Sequence, residues 1–144
     1  MSDSLNFHSN TEFFDEFGSV QNFDPPRLVA LVARAGQDWA DTDAAASVLE
    51  ESKKPLFAEI ALGYLQSGKP PAKPGDAPRP MPANQAELHA LADPRYRAHL
   101  DAMVDARKTA NRCRIRYDQG RMYLELMRSL QATRRQEAAM AGMS

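Results

Sequence analysis

The feature that most constrains this fold is a long stretch without proline that ends the sequence. After Pro94 no proline follows, and the only glycines are Gly120 and Gly142. Strong helix formers dominate residues 94–137, and their preferences add up over such a window. The stretch predicts one helix of 44 residues, about 66 Å long at roughly 1.5 Å per residue.

A regular apolar stripe runs along this predicted helix. Its members alternate steps of three and four, as in a coiled-coil seam, and are Met103, Ala106, Ala110, Cys113, Tyr117, Gly120, Leu124 and Met127. Glycine costs about 1 kcal/mol relative to alanine in a helix. The place of Gly120 in the seam therefore suggests that a partner helix approaches closely.

The segment "RCRIRYDQGRMY" at residues 112–123 allows a second interpretation. Its arginines alternate with Cys113, Ile115 and Tyr117, which is the pattern of a half-buried strand, and "DQG" could form a hairpin turn. The strand explains only this segment, whereas the helix explains the whole stretch. We expect the helix, with a break at "DQG" as the alternative.

A second helical region is expected over residues 24–67. "FDPPR" suits a helix start, and the stripe that follows has helical spacing: Leu28, Val32, Ala35, Trp39, Ala46, Leu49, Leu56 and Ile60. Pro55 falls inside this stripe, and proline costs roughly 3 kcal/mol in a helix interior. We expect a kink or a break near Lys54, which would leave two stacked helical pieces.

Residues 68–82 separate the two helical regions and hold six of the ten prolines. This composition predicts a semi-rigid extended linker. Residues 83–144 then begin with a short leading helix, for which Asn84 and Glu87 offer a capping box. Asp93 offers a second N-cap, with Pro94 at the first position of the long helix.

The predicted fold class is all-α: an elongated helical hairpin or small bundle with a long C-terminal helix. One apolar face of that helix lies away from the seam, and we call it the second apolar face: Ile115, Met122, Leu126 and Leu130. A two-helix hairpin would leave it exposed, so we expect a homo-oligomer formed through this face. In the alternative, the first two helical pieces cover both faces within one chain.

The N-terminal residues 1–23 are acidic and rich in phenylalanine, and they lack a sustained period. We expect this segment to be disordered. Within "TEFFDEFGS", the acids and Phe13, Phe14 and Phe17 could dock into a groove on another protein or fold back onto the basic helix as a nucleic-acid mimic. An inert acidic tail is the alternative.

The chemistry of an enzyme is not indicated by any motif. The three histidines, His8, His89 and His99, lack metal-ligand spacing, and no glycine-rich phosphate loop or nucleophile elbow occurs. Asp101 and Asp105 form a carboxylate pair of the kind that is common on solvated helices. We expect no catalytic residues, no metal and no cofactor.

The location is suggested by what the sequence lacks. No apolar run approaches the ~20 residues that a bilayer requires, and the acidic N-terminus differs from a secretory signal. Cys113 is the only cysteine, which excludes an intrachain disulfide and agrees with a reducing compartment. We expect a cytoplasmic protein, in the host cytoplasm if it is phage-encoded.

One group of arginines repeats every seven residues and is expected to be structural: Arg107, Arg114, Arg121, Arg128 and Arg135. Asp118 and Glu125 lie at the spacing of intrahelical ion pairs, each worth only about 0.2–0.5 kcal/mol. These arginines could also form ion pairs with acids of the first helical region, namely Asp43, Glu50 and Glu59.

A second group of cations suggests a ligand. Lys108, Arg112 and Arg116 follow one another at steps of four, and Tyr123 lies close to the same face. Neighbouring like charges repel within a helix, whereas phosphates neutralise them and an aromatic ring can stack on a base. This pattern predicts binding of single-stranded DNA, with a solvated basic face as the alternative.

The helical pieces, followed by "ARKTANRCRIRY" in a long basic helix, resemble the UvsY-type phage recombination mediators over roughly residues 27–137. The resemblance implies a non-enzymatic oligomeric ring that binds DNA coated by a single-strand-binding protein and helps to load a RecA-like recombinase. It would assign DNA binding to Lys108, Arg112, Arg114 and Arg116. The proline-rich linker and acidic N-terminus depart from the pattern.

The predicted function is thus that of a phage-type accessory protein of DNA recombination. Two alternatives belong to other classes. A phage protein-interaction factor would inhibit or adapt a host protein through the Phe-rich tail or the second apolar face. A structural assembly subunit would form a large oligomer indifferent to nucleic acid.

Overall fold

A computed structural model describes residues 24–143, and in this range the protein is built from helices. They are α1 (Pro25–Ser67), α2 (Ala83–Ala92) and α3 (Pro94–Ala141). Residues 24–143 contain no strand, only an isolated bridge. The predicted all-α class and the long C-terminal helix are confirmed. The interpretation of residues 1–23, including Phe13, Phe14 and Phe17, lies outside the described residues.

The long C-terminal helix is continuous for 48 residues. It begins as predicted, since Asp93 accepts a hydrogen bond from the backbone N–H of Arg95 (2.8 Å) and Pro94 takes the first helical position. No break occurs at "DQG". Gly120 is buried in the helix, so packing at this position offsets the low helix propensity of glycine.

The first helix is also continuous, and the break expected near Lys54 does not occur. Pro55 lies inside a single helix of 43 residues. Its side chain is exposed, so strain between its ring and the preceding turn can relax toward solvent. Residues immediately after it pack in a core around Ile60. This packing, together with the cost of nucleating a new helix, outweighs the lost hydrogen bond.

The linker begins with a glycine that ends α1. Gly68 has φ of +67° and donates its N–H to the carbonyl of Tyr64 (3.1 Å), which is the left-handed helix stop that glycine favours. Lys69 and Arg79 then form the isolated antiparallel bridge, with N···O distances of 2.7 and 3.1 Å. The linker is non-helical, as predicted, and the bridge closes its base.

Gly68→Ala should destabilise the protein by at least about 1–2 kcal/mol, because a left-handed conformation costs that much for an L-residue. An added Cβ would also lie 2.5 Å from the backbone oxygen of Arg79. Urea denaturation followed by circular dichroism measures the loss. Gly63→Ala is the control, since its added Cβ meets no atom within 4 Å. Equal stability of the two variants would contradict the prediction.

The start of α2 differs from the predicted capping box. The helix begins at Ala83 after Pro82, and no side chain caps it. The side-chain oxygen of Asn84 instead accepts a hydrogen bond from the N–H of Gln85 (3.0 Å). Proline already fixes the extended conformation that precedes a helix, and with Pro82 as the N-cap the helix starts two residues earlier than the asparagine pattern indicated.

The chain divides into two compact units. We call Met1–Ala40 with Arg112–Ser144 the terminal unit, of which residues 24–40 and 112–143 are described, and Asp41–Asn111 the central unit. In the terminal unit, Leu28 and Val32 of α1 form a core against α3, and half-buried side chains pack around it: Leu31, Tyr117, Tyr123 and Leu124. Leu28 is only 1% exposed, as expected from its place in the predicted α1 stripe.

The core of the central unit joins all three helices. Ile60 of α1, Ala90 of α2 and Tyr96 of α3 are buried together, and the rings of Phe57 and Tyr96 meet edge to face at 5.3 Å. Tyr64 donates a hydrogen bond to Asp93 (2.8 Å). The first turn of α3 is therefore held by α1 as well as by its own cap.

The second apolar face remains exposed within the chain. The exposed fraction is 51% for Ile115, 69% for Met122, 53% for Leu126 and 37% for Leu130. The alternative in which one chain covers both apolar faces is therefore wrong, because α1 packs along the seam of α3 and leaves the second face open. None of the described helices is long and apolar enough to span a membrane.

Candidate nucleic-acid interface

Basic side chains are concentrated in the part of α3 that belongs to the terminal unit. Residues 112–143 carry seven arginines and three acids, whereas the central unit carries nine basic and ten acidic side chains. Because the helix is unbroken, it fixes the positions of these arginines relative to one another. This excess of positive charge creates a field that attracts an anionic ligand.

The predicted binding residues lie on the same helix at different depths. Lys108, Arg112 and Arg114 are exposed, whereas Arg116 is half-buried. Lys108 belongs to the central unit and the three arginines to the terminal unit. Because none of the four is buried, each side chain is at least partly accessible to solvent.

Tyr123 serves the core of the terminal unit. Its half-buried ring packs against the cluster of Leu28 and Val32. Such packing fixes the orientation of the ring. A nucleobase could stack only on the part of the ring that remains exposed. The sequence placed Tyr123 near the basic face but did not reveal its contact with α1.

The first arginine of the heptad line pairs with two of the acids predicted for it. Arg107 donates to Asp43 (2.6 Å) and with two nitrogens to Glu50 (2.8 and 2.9 Å). Hydrogen bonds to Glu50 and then Asp43 raise the pKa of Arg107, while the bond from Arg107 lowers the pKa of Glu50. Since all three side chains are partly exposed, water screens the attraction.

The next arginines of the line differ from this pattern. Arg121 lies over the ring of Tyr117 at 5.7 Å from its centroid, which is a cation–π geometry. Within residues 24–143, no ion pair joins Asp118 or Glu125 to the arginines around them. The expected intrahelical pairs are therefore absent, which agrees with their small energy.

A close contact that the sequence did not reveal fixes Tyr117. A Cβ added at Gly36 would lie 3.0 Å from the Tyr117 ring, and Trp39 lies 5.7 Å from that ring between centroids. Close approach was predicted at Gly120, which is buried, but not at Gly36. The available signal for Gly36 was a glycine in the interior of α1, one turn before Trp39, because a helix surface without a side chain lets a facing residue approach closely.

The histidines of the described residues have structural contacts. His89 stacks on Tyr64 with 5.2 Å between ring centroids. The Nε2 of His99 lies 2.7 Å from the carbonyl oxygen of Leu49, and because a carbonyl can only accept, Nε2 carries the proton. In residues 24–143 no three His, Cys, Asp or Glu side chains are grouped to hold a metal ion.

Two shallow grooves lie in the central unit. The larger, about 300 Å³, is lined by Lys108 and the ion-paired Arg107 together with the apolar Met103 and Val104. The smaller, about 180 Å³, is lined by Phe57, Leu91 and Tyr96 with two lysines. Both are at or below the lower end of the range for small-molecule sites, so the extended basic surface of α3 is the stronger candidate site.

The basic surface thus combines exposed arginines with partly buried tyrosines on one continuous helix. No family model matches this chain, and no match was found among the curated proteins or the solved structures.

Proposed function

We propose that this protein is a non-enzymatic accessory factor of DNA metabolism that binds single-stranded DNA along the basic part of α3. The observation that supports this proposal is the excess of seven arginines over three acids in residues 112–143. Arg112 and Arg114 are exposed on this helix. In the cell the factor would assist a single-strand-binding protein or a RecA-like recombinase.

The physical basis is the release of counterions from the phosphate backbone. Each phosphate neutralised on a single strand contributes about 0.7 to the slope of log affinity against log salt. Single strands also expose their bases, which can stack on aromatic rings. The proximity of Tyr123 to the arginines on α3 suits a single strand better than a duplex, whose bases are already stacked.

Replacing Arg112 and Arg116 together by alanine should weaken binding of a fluorescent oligothymidine by roughly tenfold or more at low salt. The salt slope should fall by about 1.4, because two phosphate contacts are lost. Fluorescence anisotropy with single- and double-stranded DNA at several salt concentrations measures both quantities. The matched control is Arg27→Ala with Arg34→Ala, which removes two exposed arginines of α1 in the same unit.

Two results would contradict parts of this proposal. If the parent protein does not bind at low salt, DNA is not its ligand. The exposed second apolar face would then favour the protein-interaction factor, for which residues 1–23 could supply a further docking segment. If both double variants bind equally well, DNA binding lies elsewhere than Arg112 and Arg116.

A further inference from the structure

The outward side of α1 in the central unit carries a second coiled-coil pattern. Its positions alternate steps of four and three over 22 residues, and we call it the outer stripe: Ala44, Val48, Glu51, Pro55, Ala58, Leu62 and Leu65. All seven are exposed, and only Glu51 is polar. Val48 is 61% exposed and Leu62 is 52% exposed.

The outer stripe is separate from the surfaces described above. The core positions Ala46 and Ile60 are 0% and 2% exposed, and on a helical projection they fall on the other side of α1. Alternating steps of three and four on an exposed face are the spacing that receives a neighbouring helix by knobs-into-holes packing. A second helix aligned with α1 would therefore cover the stripe.

The charges that border the stripe indicate which helix fits. In heptad terms Pro55 is at position a and Ala58 at position d, so Lys54 is at g and Glu59 at e. A g residue of one helix faces the e residue five positions later on an identical parallel helix. Lys54 and Glu59 have this spacing. The remaining e and g positions between residues 45 and 66 are uncharged: Ala45, Ser47, Ser52, Ala61 and Gln66.

We infer that a second copy of this chain packs in parallel against the outer stripe. Two symmetric ion pairs between Lys54 and Glu59 then form across the interface. In an antiparallel pair, g positions face g positions and e positions face e positions. Lys54 would then not face Glu59 of the other helix, and the two ion pairs could not form. The inference concerns α1 and does not depend on DNA binding by α3.

Glu51 lowers the stability of this dimer and fixes its register. In a parallel pair the two Glu51 side chains share one d layer, where their charges repel. A single polar residue at a core position lowers coiled-coil stability but disfavours shifted registers, in which it would face an apolar side chain. The expected dimer is therefore weak and has one register.

The test compares two apolar surfaces by sedimentation velocity of the full chain over a concentration series. Leu62→Glu with Leu65→Glu should shift the parent dimer to monomer. The matched control, Met122→Glu with Leu126→Glu, changes exposed residues of the second apolar face and should leave this dimer intact. Circular dichroism verifies that each variant keeps its helices, as expected for exposed positions.

A charge exchange tests the parallel orientation without placing new charges in the stripe. Lys54→Glu should weaken the dimer severalfold, because it replaces both ion pairs by repulsion. Adding Glu59→Lys should restore the parent affinity, since the pairs form again with their signs reversed. A monomeric parent, loss of the dimer only in the control variant, or no recovery in the double variant would each overturn the inference.

Discussion

Replacing Ile60 by alanine should lower the free energy of unfolding by about 3 kcal/mol, one of the two largest effects expected for a single substitution. Ile60 is 2% exposed and packs with Ala90 and Tyr96 in the core that joins the three helices. Truncation removes buried methyl groups and leaves a cavity that the surrounding helices fill only in part. Urea denaturation monitored by circular dichroism measures the change.

Two further variants define what this result means. Ile60→Val removes one methylene and should cost about 1 kcal/mol. Leu88→Ala, at a position that is 64% exposed, should change stability by less than about 0.5 kcal/mol. If all three variants had the same stability, Ile60 would not lie in a packed core.

Asp93→Asn should lower the thermal midpoint by several degrees at neutral pH. Hydrogen bonds from Arg95 and then Tyr64 hold the pKa of Asp93 well below its usual value. The charged carboxylate therefore stabilises the folded state above the unfolded pKa of about 4. This contribution is lost as the pH falls from there through the lowered folded pKa.

The pH dependence separates this charge effect from simple helix capping. Asparagine caps helices about as well as aspartate does, so the variant keeps the cap but loses the charged partner of Arg95. Its difference from the parent should shrink between pH 7 and pH 3, as thermal scans at both values would show. A difference that stays constant over this range would exclude the carboxylate as the source.

Local rules predicted most of the helical architecture. The seam from Met103 to Met127 is buried or half-buried at each of its eight positions, because helical spacing alone decides which residues share a face. Asp93 and Pro94 marked the start of the long helix correctly. The pairing of Arg107 with Asp43 and Glu50 was anticipated, since the acids lay on the helix that had to face this arginine line.

Tertiary contacts explain where sequence reasoning failed. The cost of Pro55 is local and visible in the sequence, but the core around Ile60 that holds the helix together is not. The fit of Tyr117 against Gly36 depends on the register between two helices, which a single sequence does not specify. The binding role of Arg112 and Arg116 remains a prediction, because it concerns a ligand and not the packing of the chain.

The bridge between Lys69 and Arg79 has a consequence for how this protein can change. It ties the two ends of a proline-rich loop together, and residues 70–78 between those ends are all exposed. Lengthening a loop whose ends are already joined costs only about 0.6 kcal/mol for each doubling of its length. This loop is the place where inserted peptides, tags or whole domains could be accommodated with the least disturbance of the helical core.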